Sequence, residues 1–187
     1  MRKLESNQQV VGVIGLGYVG LPLVREFTRA GSKVVGFDVD ASKIKALKAG
    51  KSYIEHIPSE TVKNMLKQGL FDATDNFDRL KEPDCIIICV PTPLTKQREP
   101  DMTYIEKTSQ AIAKRLRKGQ LVVLESTTYP GTTREFMLPI LETSGLKVGR
   151  DFFLAFSPER EDPGRKDYST KTIPKVVGGY DKNSLKA

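Results

Sequence analysis

Cysteine and histidine are scarce in this chain, with two cysteines and one histidine among 187 residues. Cys85 and Cys89 fall within one apolar run, so they lay out no disulfide framework. Free thiols of this kind suit a reducing cytoplasm. His56 sits in a polar loop without a cysteine, a second histidine or an acidic cluster at ligand spacing, which leaves a metal site unsupported. Long apolar runs are missing too. No segment approaches the ~20 residues needed to cross a bilayer, and residues 1–9 lack the apolar core of a signal peptide. There is no internal repeat, no low-complexity linker, no arginine-rich run and no aromatic-studded strand of the kind that binds RNA. The formal charge of +7 therefore does not mark a nucleic-acid binder, because the lysines at 43, 45, 48, 63, 67 and 81 are interspersed as on solvated helix faces. A positive field of that size also favours anionic small molecules. The expectation is a cytoplasmic single domain, large enough to bury about 70% of its unfolded surface, with neither nucleic acid nor membrane as partner.

What is present is concentrated near the N-terminus. The apolar run Val10-Val11-Gly12-Val13-Ile14 leads into Gly15-Leu16-Gly17-Tyr18-Val19-Gly20 and then into a helical pattern. A dinucleotide pyrophosphate needs that order. Gly15 permits the tight turn, Gly17 lets the backbone approach the phosphates, and Gly20 lets the helix pack on the strand. The free amides and positive dipole end of the helix then face the anion, with Tyr18 and Val19 lining the turn. A second apolar run, Lys33-Val34-Val35-Gly36-Phe37, ends in Asp38, 18 residues beyond Gly20. An acid there can accept hydrogen bonds from both hydroxyls of the adenosine ribose. Lys43, opening the next helix, can reach the adenosine side. These residues read as an NAD site.

Strand and helix signals alternate throughout, which predicts an α/β fold: a doubly wound, mostly parallel sheet of Rossmann type in a single domain, with its core at about 9–180. Strands are expected at 10–14, 33–37, 70–74, 84–90, 121–125, 152–156 and 175–179. Helices are expected at about 19–30, 42–49 (capped by Ser42 and stopped by Gly50), 59–67, 103–117 and 132–144. A last helix starts after Asp181 and breaks off, so the chain reads as truncated. In an open parallel sheet, ligands bind beyond the carboxyl ends of the strands. Four chemically distinctive loops belong to that edge: 15–21, Val90-Pro91-Thr92-Pro93, Glu125-Ser126-Thr127-Thr128 and the segment 157–164 beginning Ser157-Pro158-Glu159. Cys89 is expected inside a buried central strand, where cysteine acts as a small hydrophobe rather than a nucleophile.

Together these motifs resemble the UDP-glucose/GDP-mannose dehydrogenase family from Val11 to about Gly179. The segment Pro158-Glu159-Arg160-Glu161-Asp162-Pro163-Gly164 is most similar to the branch acting on UDP-N-acetylhexosamines, although Glu161 replaces a common aliphatic residue. The resemblance implies a four-electron oxidation of the sugar C6 alcohol to a carboxylate, with two NAD used in turn and a cysteine capturing the intermediate aldehyde. It implies that Thr127 sits near the nicotinamide and holds the reacting water, that Glu159 orients or deprotonates that water, and that Thr92 contacts the cofactor. It assigns Arg160 and Glu161 to the UDP-sugar. The family's nucleophilic cysteine, and its oxyanion-stabilising lysine and asparagine, would fall after Ala187, and a homo-oligomer is implied for the longer protein. Three alternatives remain at this point: a UDP-glucose 6-dehydrogenase, a two-electron β-hydroxyacid dehydrogenase sharing the glycine motif, and a stand-alone or vestigial NAD-binding domain.

Overall fold

The computed structural model describes residues 9–159 and 175–187. Seven strands form one sheet: β1 (Val10–Ile14), β2 (Lys33–Phe37), β3 (Phe71–Thr74), β4 (Cys85–Ile88), β5 (Leu121–Leu124), β6 (Phe153–Phe156) and β7 (Gly178–Gly179). Their spatial order is β3-β2-β1-β4-β5-β6-β7. All neighbours run parallel except β7, which pairs antiparallel with β6. The helices are α1 (Gly20–Arg29), α2 (Ala41–Lys48), α3 (Ser59–Lys67), α4 (Thr103–Ala113), α5 (Leu138–Glu142) and α6 (Lys182–Lys186).

The sheet is apolar on both faces, as a parallel sheet covered by helices requires. Successive side chains of each strand alternate between two cores. Val11, Val13, Val34 and Ile87 pack with Leu21, Val24, Leu47 and Met65 from α1, α2 and α3. Ile14, Val35, Ile86, Ile88, Val122 and Leu124 pack with Ile105 and Ile112 of α4 and with Met137 and Leu141 on the other side. Gly12 is needed for this packing, since a Cβ there would stand 2.7 Å from Pro83 Cγ.

Several boundaries differ from the sequence expectation. The N-cap of α2 is Asp40 and not Ser42: its carboxylate accepts the Ser42 amide at 2.9 Å and adds a negative charge at the positive helix end. Helix α4 stops at Ala113 instead of about 117, because the Arg117 guanidinium is drawn to the Lys81 and Pro83 carbonyls and to Asp84. The expected helix 132–144 is a π-helical turn, Thr132–Met137, followed by the short α5. Strand β4 ends at Ile88 rather than Val90, and β7 is limited to its two glycines. A 3-10 turn, Phe77–Lys81, was not foreseen.

Ile88 is fully buried in the strand that joins the two halves of the sheet. Ile88→Ala should lower unfolding free energy by about 2–5 kcal/mol, read by urea denaturation. A loss below about 1 kcal/mol would contradict the packing described here.

Candidate functional site

The chain leaves β1 toward β2 and leaves β4 toward β5, so the direction of winding reverses between these neighbouring strands. A crevice opens at their carboxyl ends, where such a reversal places it. It is a cleft of about 960 Å³, and Gly15, Gly17, Tyr18, Val19, Asp38, Lys43, Thr92, Thr127 and Glu159 all line it. Gly20 stands just behind, buried at the start of α1. Arg160 and Glu161 lie outside the described residues.

The glycine turn is fixed by close backbone approach. Gly15 has φ +93°, and a Cβ there would come 2.6 Å from the Cys89 carbonyl oxygen, so the turn is wedged against the end of β4. Its amide donates to the Phe37 carbonyl at 2.8 Å. A Cβ on Gly20 would collide with the Gly15 carbonyl oxygen, so this glycine serves the turn itself and not helix packing alone. Beside Gly17 a Cβ would meet no atom within 4 Å, which leaves the backbone open to close approach. Helix α1 has no side-chain cap, and the amides of Gly17, Tyr18 and Val19 have no protein acceptor among the described residues. Unpaired donors at a helix start are an anion site in waiting. A pyrophosphate fits them.

Asp38, only 6% exposed, closes the other side of the turn. One carboxylate oxygen accepts the Leu16 amide at 2.9 Å and meets Lys43 Nζ at 3.3 Å, while the other accepts the Asp40 amide at 3.0 Å. An ionised carboxylate offers about four acceptor positions. Three are already engaged, so a ribose would find room for one hydroxyl and not the two expected, unless Lys43 yields. Tyr53 reaches in from the loop before α3 and donates its hydroxyl to the Leu16 carbonyl at 2.6 Å. Burial and the charges of Asp38 and Asp40 push the Tyr53 pKa upward, which keeps it a donor.

The loops after β4 and β5 are tied to one another. Thr92 Oγ1 donates to the Thr127 carbonyl at 2.6 Å, and Ser126 Oγ donates to the Val90 carbonyl at 2.7 Å. Thr92 thus spends its hydroxyl proton on holding Thr127 in place. Gly131, with φ +95°, then turns the chain into the π-helical segment. Glu125, 3% exposed, forms an ion pair with Lys175. Cys89 differs from expectation. It follows the last residue of β4, is half-buried, and lines the cleft. Its chemistry still disqualifies it as a nucleophile: burial pushes its thiol up to about 12, the Glu159 charge adds to the rise, and Lys175 opposes it. Burial, with Asp84, does the same to Cys85. His56 is an exposed loop residue whose ring lies 6.2 Å from that of Tyr18. Among the described residues no group of three or more metal-ligating side chains gathers, and no helix is long and apolar enough to cross a membrane.

Sequence reading missed the far end of the cleft, formed by Val39, Phe77 and one face of α4. Tyr104, Lys107, Thr108 and Ala111 stand at i, i+3, i+4 and i+7, a helical stripe that was legible as a face but not as a lining.

The sheet order, the reversal point, the amide-bearing turn and the acid at the end of β2 define a dinucleotide-binding domain. The chain matches, over residues 9–187, the model of the UDP-glucose/GDP-mannose dehydrogenase family, NAD binding domain, and it belongs to that family. It is 44% identical over 170 residues to protein CapL of Staphylococcus aureus, covering 90% of this chain and 39% of that one. A UDP-N-acetyl-D-glucosamine 6-dehydrogenase of Pseudomonas aeruginosa is 41% identical, again over 90% of this chain and 39% of the relative. The crystal structure of an NDP-N-acetyl-D-galactosaminuronic acid dehydrogenase from Methanosarcina mazei Go1 superposes with a TM-score of 0.85 at 35% identity, covering 100% of this chain and 43% of that one. The chain spans about two fifths of the length of these relatives.

With thiols raised to about 12, both cysteines should resist iodoacetamide at pH 8 in the folded protein. Their alkylation, followed by intact mass, should quicken about tenfold per pH unit up to the point of unfolding, since only the thiolate reacts. Rapid modification of Cys89 at pH 8 would contradict the assignment.

Proposed function

We propose that this chain is the cofactor-binding part of an NAD-dependent dehydrogenase that oxidises C6 of a UDP-N-acetylhexosamine to the uronic acid. The observation that carries the reading is the meeting, on one sheet edge, of the amide-bearing glycine turn and Asp38 with Thr92, Thr127 and Glu159. The first group suits a dinucleotide and the second suits water-dependent chemistry beside it. The names of the hexosamine-specific relatives favour that branch over UDP-glucose.

NAD, when bound, supplies the hydride acceptor. The residues of this chain do the rest of the work at this wall of the cleft. Gly17, Tyr18 and Val19 bind the pyrophosphate through backbone amides, and Asp38 takes a ribose hydroxyl. Thr127, held by Thr92, positions a water that Glu159 orients and deprotonates. Arg160 and Glu161 contact the sugar nucleotide. A thioester route needs a thiolate, and a thiol raised to about 12 does not provide one at neutral pH. The 187 residues on their own therefore bind NAD and oxidise no sugar nucleotide. The relatives are more than twice as long as this chain. We assign the remaining groups, with a homo-oligomeric assembly in the cytoplasm, to the part of such a protein that these 187 residues do not span.

Asp38 sets the cofactor preference, because a 2′-phosphate brought against its carboxylate is repelled. Lys43, paired with Asp38, offsets part of that charge, so the preference should be finite. Calorimetry should give NAD an affinity at least about tenfold above NADP, and equal affinities would overturn the assignment of Asp38.

In an assay of NADH formation from UDP-N-acetylglucosamine at high protein concentration, the 187-residue chain should give no sustained turnover. Turnover that Cys89→Ala abolishes would overturn both the division of labour and the exclusion of Cys89.

A further inference from the structure

The two peptides that meet at Leu16 are each held by a side chain distant in sequence. The Leu16 amide donates to Asp38 at 2.9 Å, and the Leu16 carbonyl accepts the Tyr53 hydroxyl at 2.6 Å. Leu16 itself is fully buried and Tyr53 is half-buried. Neither lines the cleft, whereas Gly17 does. No peptide bond among the described residues is cis. In a planar trans peptide the carbonyl and the following N–H point in opposite directions. A carbonyl of Leu16 aimed at Tyr53, which does not line the cleft, therefore aims the N–H of Gly17, which does, away from Tyr53.

We propose that Tyr53 is a positioning residue for dinucleotide binding, which orients the Leu16–Gly17 peptide so that the Gly17 amide faces the pyrophosphate. This inference rests on the NAD reading of the cleft. The hydroxyl is not idly placed, because the loop carrying it is anchored on both sides. Ile54 and Ile57 are buried at 4% and 1% exposure in the core beneath α1 and α3. Ser59 Oγ accepts the Ser52 amide at 3.0 Å, and Ser52 Oγ donates to the Ile54 carbonyl at 3.2 Å. The phenol is thus fixed relative to the sheet before any ligand arrives. It holds the peptide against the rotation that the glycine on its far side would otherwise permit. An amide that is already aimed costs no reorganisation when the anion binds. Without the hydroxyl, the Leu16 carbonyl loses its partner, and the peptide can turn to seek water. That rotation withdraws the Gly17 donor from the cleft.

The test compares Tyr53→Phe with the unsubstituted 187-residue chain, using NAD, ADP and adenosine as probes in calorimetry or ligand-observed NMR, with thermal unfolding measured alongside. NAD and ADP carry the pyrophosphate, whereas adenosine reaches only the Asp38 end. Tyr53→Phe should weaken NAD and ADP about 5–10-fold, the scale of one hydrogen bond, and leave adenosine within about twofold. Unchanged affinity for all three would overturn the proposal. A parallel loss for all three, with a lowered Tm, would assign Tyr53 a purely structural role and also overturn it. If the unsubstituted chain binds neither NAD nor ADP, the reading of the cleft itself fails. That result is distinct from a failure confined to the variant.

Discussion

The carboxylate of Asp38 is the point on which the cleft depends. Buried at the end of β2, it receives the Leu16 amide from the glycine turn and the Asp40 amide from the start of α2, and it pairs with Lys43 inside that helix. The glycine turn and α2 are both registered against one charged group. A buried charge is tolerated only where hydrogen bonds and a counter-charge replace its water. The same bonds that make Asp38 tolerable therefore shape the site around it. The parallel pairing of Val13 with Gly36 and Ile14 with Phe37 brings its backbone to the right height beside the turn. Removal of the carboxylate would leave the Leu16 amide without its acceptor.

The other half of the site is built by backbone carbonyls rather than by charge. Ser126 and Thr92 stitch the ends of β4 and β5 to each other, and each uses a hydroxyl to satisfy a carbonyl that the ending strand leaves open. Thr127 is exposed and lines the cleft, and its carbonyl is held by Thr92. The π-helical turn just beyond, entered through Gly131, fits the tendency of such turns to lie at functional sites. It lets the chain reverse sharply after the loop while Thr132 and Met137 remain buried.

The strands were legible because their apolar runs are short, branched and bounded by glycine, and the phosphate turn because its glycines have fixed spacing. Asp38 was legible for the same reason. Two of the features that were missed depend on side chains meeting across long stretches of sequence. Arg117 shortens α4 by reaching the chain near Pro83, and Tyr53 meets Leu16 across 37 residues. Cys89 looked like a strand interior because Ile86-Ile87-Ile88 precedes it. The strand ends two residues earlier than expected, at Ile88 rather than Val90, and the Cys89 amide donates to the Ile14 carbonyl. Lys43 was read as a ligand to adenosine, and its pairing with Asp38 could not be seen without knowing how α2 leaves β2.

The overall charge of the chain also proves a poor guide to its cleft. The sequence carries +7, yet the described lining holds four carboxylates, Asp38, Asp40, Glu125 and Glu159, against two lysines, Lys43 and Lys107. Lys175 adds a third ammonium, and it is engaged with Glu125. Among the described residues, side-chain charge therefore does not draw an anion into this crevice. The attraction falls to the unpaired amides of the glycine turn and the positive end of α1, which act over the first turn of a helix and not over a Debye length. Such donors discriminate by position more than by distance. The orientation of individual peptides, above all the one joining Leu16 to Gly17, then carries the weight that a lysine would carry in a site built on charge.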